Sequence, residues 1–163
     1  MARVPVRYIP KTLSRKDSKF VRGQLKKSRK LYKKGKYHTR KKVSSFKSKV
    51  SPHILKAKEM YKLNDIKADK NLSRATKCSV NALKKIVKKG QGAYYSSGSR
   101  PNQTGHSWGR ARLASSVTGG KASAVDIKIL KEGCHKNSKA LKLAKKAYIK
   151  YNKGTRKIKK TKL

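Results

Sequence analysis

Apolar side chains along this chain recur at intervals of three and four, and nowhere do they alternate persuasively with polar ones, so the pattern predicts helices rather than strands. Residues 1–12 carry Pro5 and Pro10, whose fixed φ favours an extended run. Ser14 and Asp17 then resemble a capping box with Asp in place of Glu. Val21, Leu25 and Tyr32 continue at helical spacing to a stop at Gly35. Gly23 inside this helix costs it about 1 kcal/mol. Residues 36–50 are rich in lysine and serine with scattered Val43, Phe46 and Val50, which reads as an extended arm. No acidic residue lies between Asp17 and Glu59, so the arm is suited to tracking a polyanion; the alternative is a solvated linker. Ser51-Pro52 opens a second helix with Ile54, Ala57 and Tyr61 as its apolar stripe, ending near Leu63. Asp65 and Asp69 fall in the loop that follows.

Residues 72–89 read as two short helices in the manner of a helix-turn-helix: one from Ser73, a turn at Lys77-Cys78, and a second capped by Ser79 and stopped by Gly90. Leu72, Ala75, Val80, Leu83 and Val87 form its inner face, with Ile86 nearby, and Lys84, Lys85, Lys88 and Lys89 lie outside. Such a pair reads a DNA groove or simply packs as core; lysine at 77, where the tight turn usually takes glycine, weighs toward core. A helix over 123–131 carries Val125 and Ile129 four apart and ends at Gly133. The last helix, over 138–152, buries Leu141, Ala144, Tyr148 and Tyr151 on one face and covers the others with lysine; residues 154–163 are a basic tail. The predicted fold class is mainly α, a small helical domain with long extended basic N-terminal and C-terminal arms. Its divisions are 1–50, a basic arm with one helix; 51–135, a central helical domain; and 136–163, a basic helix and tail.

Charge changes this picture from a small domain to a polyanion partner. The chain has 163 residues, with 48 Lys and Arg against 6 Asp and Glu, for a net charge of +42. A charge of this size repels itself and calls for an external counter-charge. Spread along duplex DNA it would match the phosphates of about 70 Å. Lysine outnumbers arginine 37 to 11, which favours diffuse neutralisation over bidentate base reading. Hydrophobic residues are 35% of the chain, so the core is small. Cys78 and Cys134 form no CxxC pair and no four-ligand zinc set, so the chain is expected to be reduced, with no metal. No apolar run suffices to span a bilayer, and MARVPVRYIPKTL lacks the apolar core of a signal peptide. A soluble protein made in the cytosol is expected.

The segment from Gly90 to Gly120 stands apart. It runs thirty-one residues without lysine or any acid, yet holds seven of the eleven glycines and three of the eleven arginines. Ser96, Ser97 and Ser99 offer donors, Arg100-Pro101 sets an extended turn, and Ser107 is placed to cap a helix carrying Trp108, Arg110 and Arg112. Donors, a helix start and arginines together suit a phosphate or carboxylate, and aromatic rings stack on bases or arginine. Tyr94, Tyr95, Ser97, Arg100, His106, Trp108, Arg110 and Arg112 are therefore the candidate nucleic-acid or anion-binding residues. The competing reading makes Tyr94, Tyr95 and Trp108 the aromatic core. Ser97, His106 and Asp126 can be named as a triad, but no nucleophile-elbow spacing supports them, so no catalytic residue and no cofactor is expected.

KKGQGAYYSSGSRP, HSWGRARLASSVTGG and KASAVD, within residues 72–126, resemble a domain of unknown function associated with large eukaryotic DNA viruses and some tailed phages. The resemblance implies a viral origin but supplies no activity, and the lysine-rich flanks carry nothing over. Lys77 departs from the glycine expected in that family's turn, against a helix-turn-helix role. In such a setting the expectation is a non-enzymatic virion structural protein, a minor capsid or core component on the inner side of the capsid. Its partners would be capsid proteins and viral DNA or an anionic inner-membrane surface, with no small-molecule substrate. It would be made in the host cytoplasm, and its basic runs could also direct it to the nucleus. The alternative is a soluble, non-specific DNA-binding protein that condenses a genome.

Overall fold

Ser14 starts the first helix, α1 (Arg15–Lys33), by accepting from the Asp17 amide at 3.0 Å. The rest of the box is built differently from expectation. Asp17 turns to Ser45, whose amide donates to its carboxylate at 3.0 Å and whose hydroxyl donates at 2.5 Å. The Ser45 hydroxyl in turn accepts from the Ser14 amide. Gly35 follows the helix at φ +72°, a left-handed turn that glycine adopts without strain. The computed structural model describes residues 2–154 and 158–163, which are mainly helical, with eight helices and two three-residue strands.

These residues group into two compact units, 2–49 with 91–108 and 158–163, and 50–90 with 109–154. In the first, the basic N-terminal stretch does not extend freely. Val4, Tyr8, Ile9, Leu13, Val21, Leu25 and Val43 form a buried cluster, with Phe46 and Trp108 packed against it. Residues 36–50 contain no helix or strand, yet side chains outside the stretch hold them. Asn102 accepts from the Val43 amide at 2.8 Å and donates to the Val43 and Phe46 carbonyls at 3.0 and 2.6 Å. Instead of a wholly extended entry, residues 6–8 make a single 3-10 turn. Strand β1 (Arg3–Pro5) pairs antiparallel with β2 (Lys160–Lys162), Arg3 opposite Lys162. Of the expected basic tail, residues 155–157 lie outside the described residues. The strands escape an alternation search because, at three residues each with only Val4 buried, they are too short to show one.

In the second unit, α2 (Pro52–Tyr61) begins at Ser51 as expected. Helix α3 (Lys70–Thr76) starts three residues ahead of Ser73, because Asp69 is the cap and accepts from the Leu72 amide at 3.0 Å. Lys77 takes the left-handed conformation that glycine would have favoured, φ +57°. Helix α4 (Val80–Ser96) does not stop at Gly90. There the missing side chain serves a crossing: a Cβ on Gly90 would stand 2.7 Å from Gly109 Cα in α5 (Gly105–Val117). Helices α4 and α5 each contribute residues to both units. The single helix expected over 123–131 is two, α6 (Lys121–Val125) and α7 (Ile127–Gly133), broken at Asp126, which turns inward to an arginine. Helix α8 (Lys139–Lys150) starts at Ser138, which accepts from the Leu141 amide at 3.1 Å. Leu141 and Ala144 join Leu72, Leu83, Leu113 and Leu130 in one core, so the sequence division at 135 cuts through a packed unit.

The cysteines are not free thiols. The turn after α3 lies antiparallel to the end of α7, with the Ser79 amide donating to the Gly133 carbonyl at 2.7 Å and the His135 amide to the Lys77 carbonyl at 2.8 Å. This bridge brings Cys78 and Cys134 face to face, and they are joined as a disulfide. The expectation of a reduced chain is corrected accordingly; it came from spacing along the sequence, which carries no information on a contact between residues 56 apart.

Candidate functional site

The Gly90–Gly120 segment consists of the end of α4, a loop and α5, and its candidate residues are divided between the two units. Arg110 and Arg112 belong to the second unit and already have carboxylates. Arg110 donates to Asp65 at 2.6 Å and to the Ile66 carbonyl at 3.2 Å. Burial pushes the Asp65 carboxyl up, but hydrogen bonds from Lys67 and the Ile66 amide, with the charge of Arg110, outweigh it and hold the group below its ordinary value. Arg112 forks onto Asp126 with contacts of 3.0 and 2.7 Å, Ser116 donates to the same carboxylate at 2.9 Å, and the Lys89 ammonium stands 3.8 Å away. Asp126 is wholly buried. A carboxylate removed from water survives there because a bidentate guanidinium and a hydroxyl satisfy it. It is a structural anchor, with its oxygens taken up by Arg112 and Ser116.

In the first unit, Tyr94 is wholly buried beneath an arginine absent from the candidate set. The Arg40 guanidinium lies 3.7 Å from the Tyr94 ring centroid. It donates to the Ser28 hydroxyl and the Tyr94 carbonyl at 2.8 Å each, and to the Ser99 hydroxyl at 2.9 Å. The Arg40 amide donates to the Tyr94 phenol at 3.0 Å. Burial holds the Arg40 pKa below its ordinary value, partly countered by the neighbouring tyrosines. Its partners are hydroxyls, a carbonyl and a π face, so its positive charge meets no acid in this network. A small pocket opens beside it, lined in part by Gln24, Lys41, Arg100 and Asn102 and by no acidic side chain.

The remaining candidates divide between core and surface. Trp108 packs edge-on to Tyr8 with centroids 6.1 Å apart, part of the first unit's core. Ser97, Arg100 and His106 are exposed, and the Ser97 carbonyl accepts from Arg29 at 3.1 Å. Ser107 is not the cap of α5. Thr104, just before the helix, accepts from the Ser107 amide at 3.0 Å, and Ser107 accepts from the Thr104 amide at 2.9 Å, a reciprocal box. Tyr95 is half-buried and meets Tyr94 edge-on at 4.9 Å. Its other ring neighbour is Tyr37, at 5.1 Å, and Tyr37 neighbours Tyr32 at 6.1 Å. Tyr32, Tyr37 and Arg40 were missed because they flank or interrupt a lysine-serine run without periodicity. The available signal was the break itself, Tyr37-His38-Thr39-Arg40, four residues without lysine or serine.

Around these anchors the surface is cationic. Lys16, Lys19, Lys26, Lys27, Lys30 and Lys33 of α1 are exposed, as are Lys84, Lys85, Lys88 and Lys89 of α4 and Lys139, Lys142, Lys145, Lys146 and Lys150 of α8. Among the described residues no group of three His, Cys, Asp or Glu is placed to hold a metal, and no helix is long and apolar enough to cross a membrane. No curated protein and no solved structure matches the chain. Residues 5–132 match the family of unknown function DUF5824, and the chain belongs to that family.

Proposed function

We propose that the protein is a non-enzymatic structural component that binds a polyanion through its lysine-covered helices. Its setting is a virus particle, where it serves as a minor capsid or core protein bridging capsid proteins and nucleic acid or an anionic inner membrane. One observation carries the polyanion reading: where the acids go. Asp17 is held by Ser45, Asp65 by Arg110 and Lys67, Asp69 caps α3, and Asp126 holds Arg112. All four aspartates are thus engaged by their own chain, while the helices present lysine outward. The excess charge of +42 must be met by another molecule. The viral setting rests on the resemblance of residues 72–126 alone.

Titration of duplex DNA against salt tests the first part. Engagement of about 6–10 phosphates predicts a loss of about 10³–10⁵ in affinity between 50 and 200 mM salt; a flat salt response would refute it. Quantitative proteomics of particles stripped stepwise into shell, membrane and DNA core tests the setting. Copies leaving in fixed ratio with the shell support a capsid role. Copies following the DNA support the second reading, a genome-condensing protein, which the excess of lysine over arginine favours. Absence from particles would overturn the virion role.

A further inference from the structure

We infer that Tyr32, Tyr37 and Tyr95 form a stacking platform for the bases of single-stranded nucleic acid, an inference that rests on the polyanion reading above and narrows its ligand. The rings lie in sequence from the buried Tyr94: Tyr95 at 4.9 Å, Tyr37 at 5.1 Å beyond it, and Tyr32 at 6.1 Å beyond that. Tyr94 is 0% exposed and Tyr95 half-buried, whereas the two rings beyond them lie at the surface, Tyr37 at 73% and Tyr32 at 37%. One exposed aromatic ring would call for no explanation. Here three rings touch one another outside the apolar cluster of their unit, in a chain of mean hydropathy −0.87.

The backbone that carries them is fixed before any ligand arrives. Arg40 clamps Tyr94 from above. Gly105 leaves room for the Tyr95 ring, since a Cβ there would approach its phenol oxygen to 2.9 Å. Tyr37 stands between the Gly35 turn and His38, whose Nε2 lies 3.0 Å from the Gln24 side-chain oxygen. The Tyr37 ring is therefore exposed on an anchored segment, and little freedom remains to be lost on binding. Lys33, Lys34 and Lys36 are exposed in the same stretch, between Tyr32 and Tyr37 in sequence. Cations interleaved with open rings are the combination that holds a strand whose bases are free to stack. Duplex bases are already stacked on each other and present phosphate instead, so the rings distinguish the two forms where lysine does not. An acidic protein surface would use the lysines and leave the rings idle.

The test compares the full chain with Tyr37→Ala, Tyr37→Phe and Tyr32→Ala by fluorescence anisotropy. Probes are labelled deoxy- and ribo-oligonucleotides of about 12 nucleotides, a duplex of equal length, and inorganic polyphosphate, which has charge without bases. Tyr37→Ala is expected to weaken single-strand binding about 5- to 150-fold, with duplex and polyphosphate binding unchanged and Tyr37→Phe retaining most of the affinity. Tyr32→Ala should give a smaller loss in the same direction, and circular dichroism should report the native helix content in each variant. A stronger response to one sugar would identify DNA or RNA as the strand bound. Unchanged single-strand affinity in Tyr37→Ala, or equal losses on all four probes, would overturn the platform and leave the polyanion reading standing. Failure of the unsubstituted chain to bind any of the four would overturn both.

Discussion

Alanine substitution at two glycines two residues apart in α4 should move stability in opposite directions. At Gly90 the added Cβ would lie 2.7 Å from Gly109 Cα, 3.2 Å from Arg112 Cβ and 3.3 Å from Gly109 N. Two of these are backbone atoms, so no rotamer change relieves the contact and the helices must part. Overpacking of this kind costs about 1–3 kcal/mol, and the better helix propensity of alanine offsets about 1 kcal/mol of it. The net expectation is destabilisation by about 1 kcal/mol. At Gly92 nothing lies within 4 Å of the added Cβ, which leaves the propensity gain of about 1 kcal/mol. The two variants should differ by about 2 kcal/mol, or about 4–8 °C in Tm for a chain of this length. Gly23→Ala in α1, also with nothing within 4 Å, is a second stabilising control. Thermal unfolding followed by circular dichroism measures all three. If Gly90→Ala melts at or above Gly92→Ala, the close crossing of α4 and α5 is not what Gly90 provides.

Other substitutions test the anchors. Arg112→Leu leaves the buried Asp126 carboxylate with Ser116 and a lysine at 3.8 Å. A loss of about 3 kcal/mol is expected, at the lower end for a broken buried pair because Lys89 remains; denaturant unfolding showing under about 1 kcal/mol would remove the pair from the account of stability. Closing the loop between Cys78 and Cys134, 56 residues apart, restricts the unfolded chain by about 4 kcal/mol in the chain-entropy treatment. Reductant or the double Cys→Ser variant should therefore lower Tm, and equal melting with and without reductant would show that the bond does not form in solution. Tyr61 donates to the Val117 carbonyl at 2.5 Å, and burial pushes its phenol up to about 12 from 10.0. Because the folded pKa is the higher, its stabilising contribution is full below pH 10 and is lost as pH rises toward 12. Ultraviolet titration of Tyr61→Phe against the unsubstituted chain should remove one late-titrating phenol; loss of an ordinary one instead would contradict the burial.

Much of the helical frame was legible because it is written in short local signals. Ser14, Ser51 and Ser138 each sit just before the helix they start, and Gly35 follows the one it ends. Gly90 was misread because a glycine that ends a helix and one that lets two helices touch look alike until the partner, Gly109, is known. The break at Asp126 was invisible for the same reason: its cause, Arg112, lies fourteen residues earlier on another helix. At the candidate site the sequence assigned Arg110 and Arg112 to an external anion, whereas each holds an aspartate of its own chain. Sparse acids in a basic chain do not announce which arginines they hold. Arg40 was missed because its selection depends on Ser28, Tyr94 and Ser99, which come together only on folding.

The order of synthesis gives the division into units a temporal meaning. The described part of the second unit ends at residue 154, whereas the first needs residues 158–163 to supply the strand opposite Arg3–Pro5. Until then Val4 is without its ladder and Arg22 without the Lys162 carbonyl that it reaches. Closing contacts between residues so far apart is slow compared with forming a local helix. Helix α1, with its outward lysines, is made well before its own unit can close. Under the polyanion binding proposed above, a polyanion met during that interval would compete with folding, and the first unit's closure and its first binding event would be in a race.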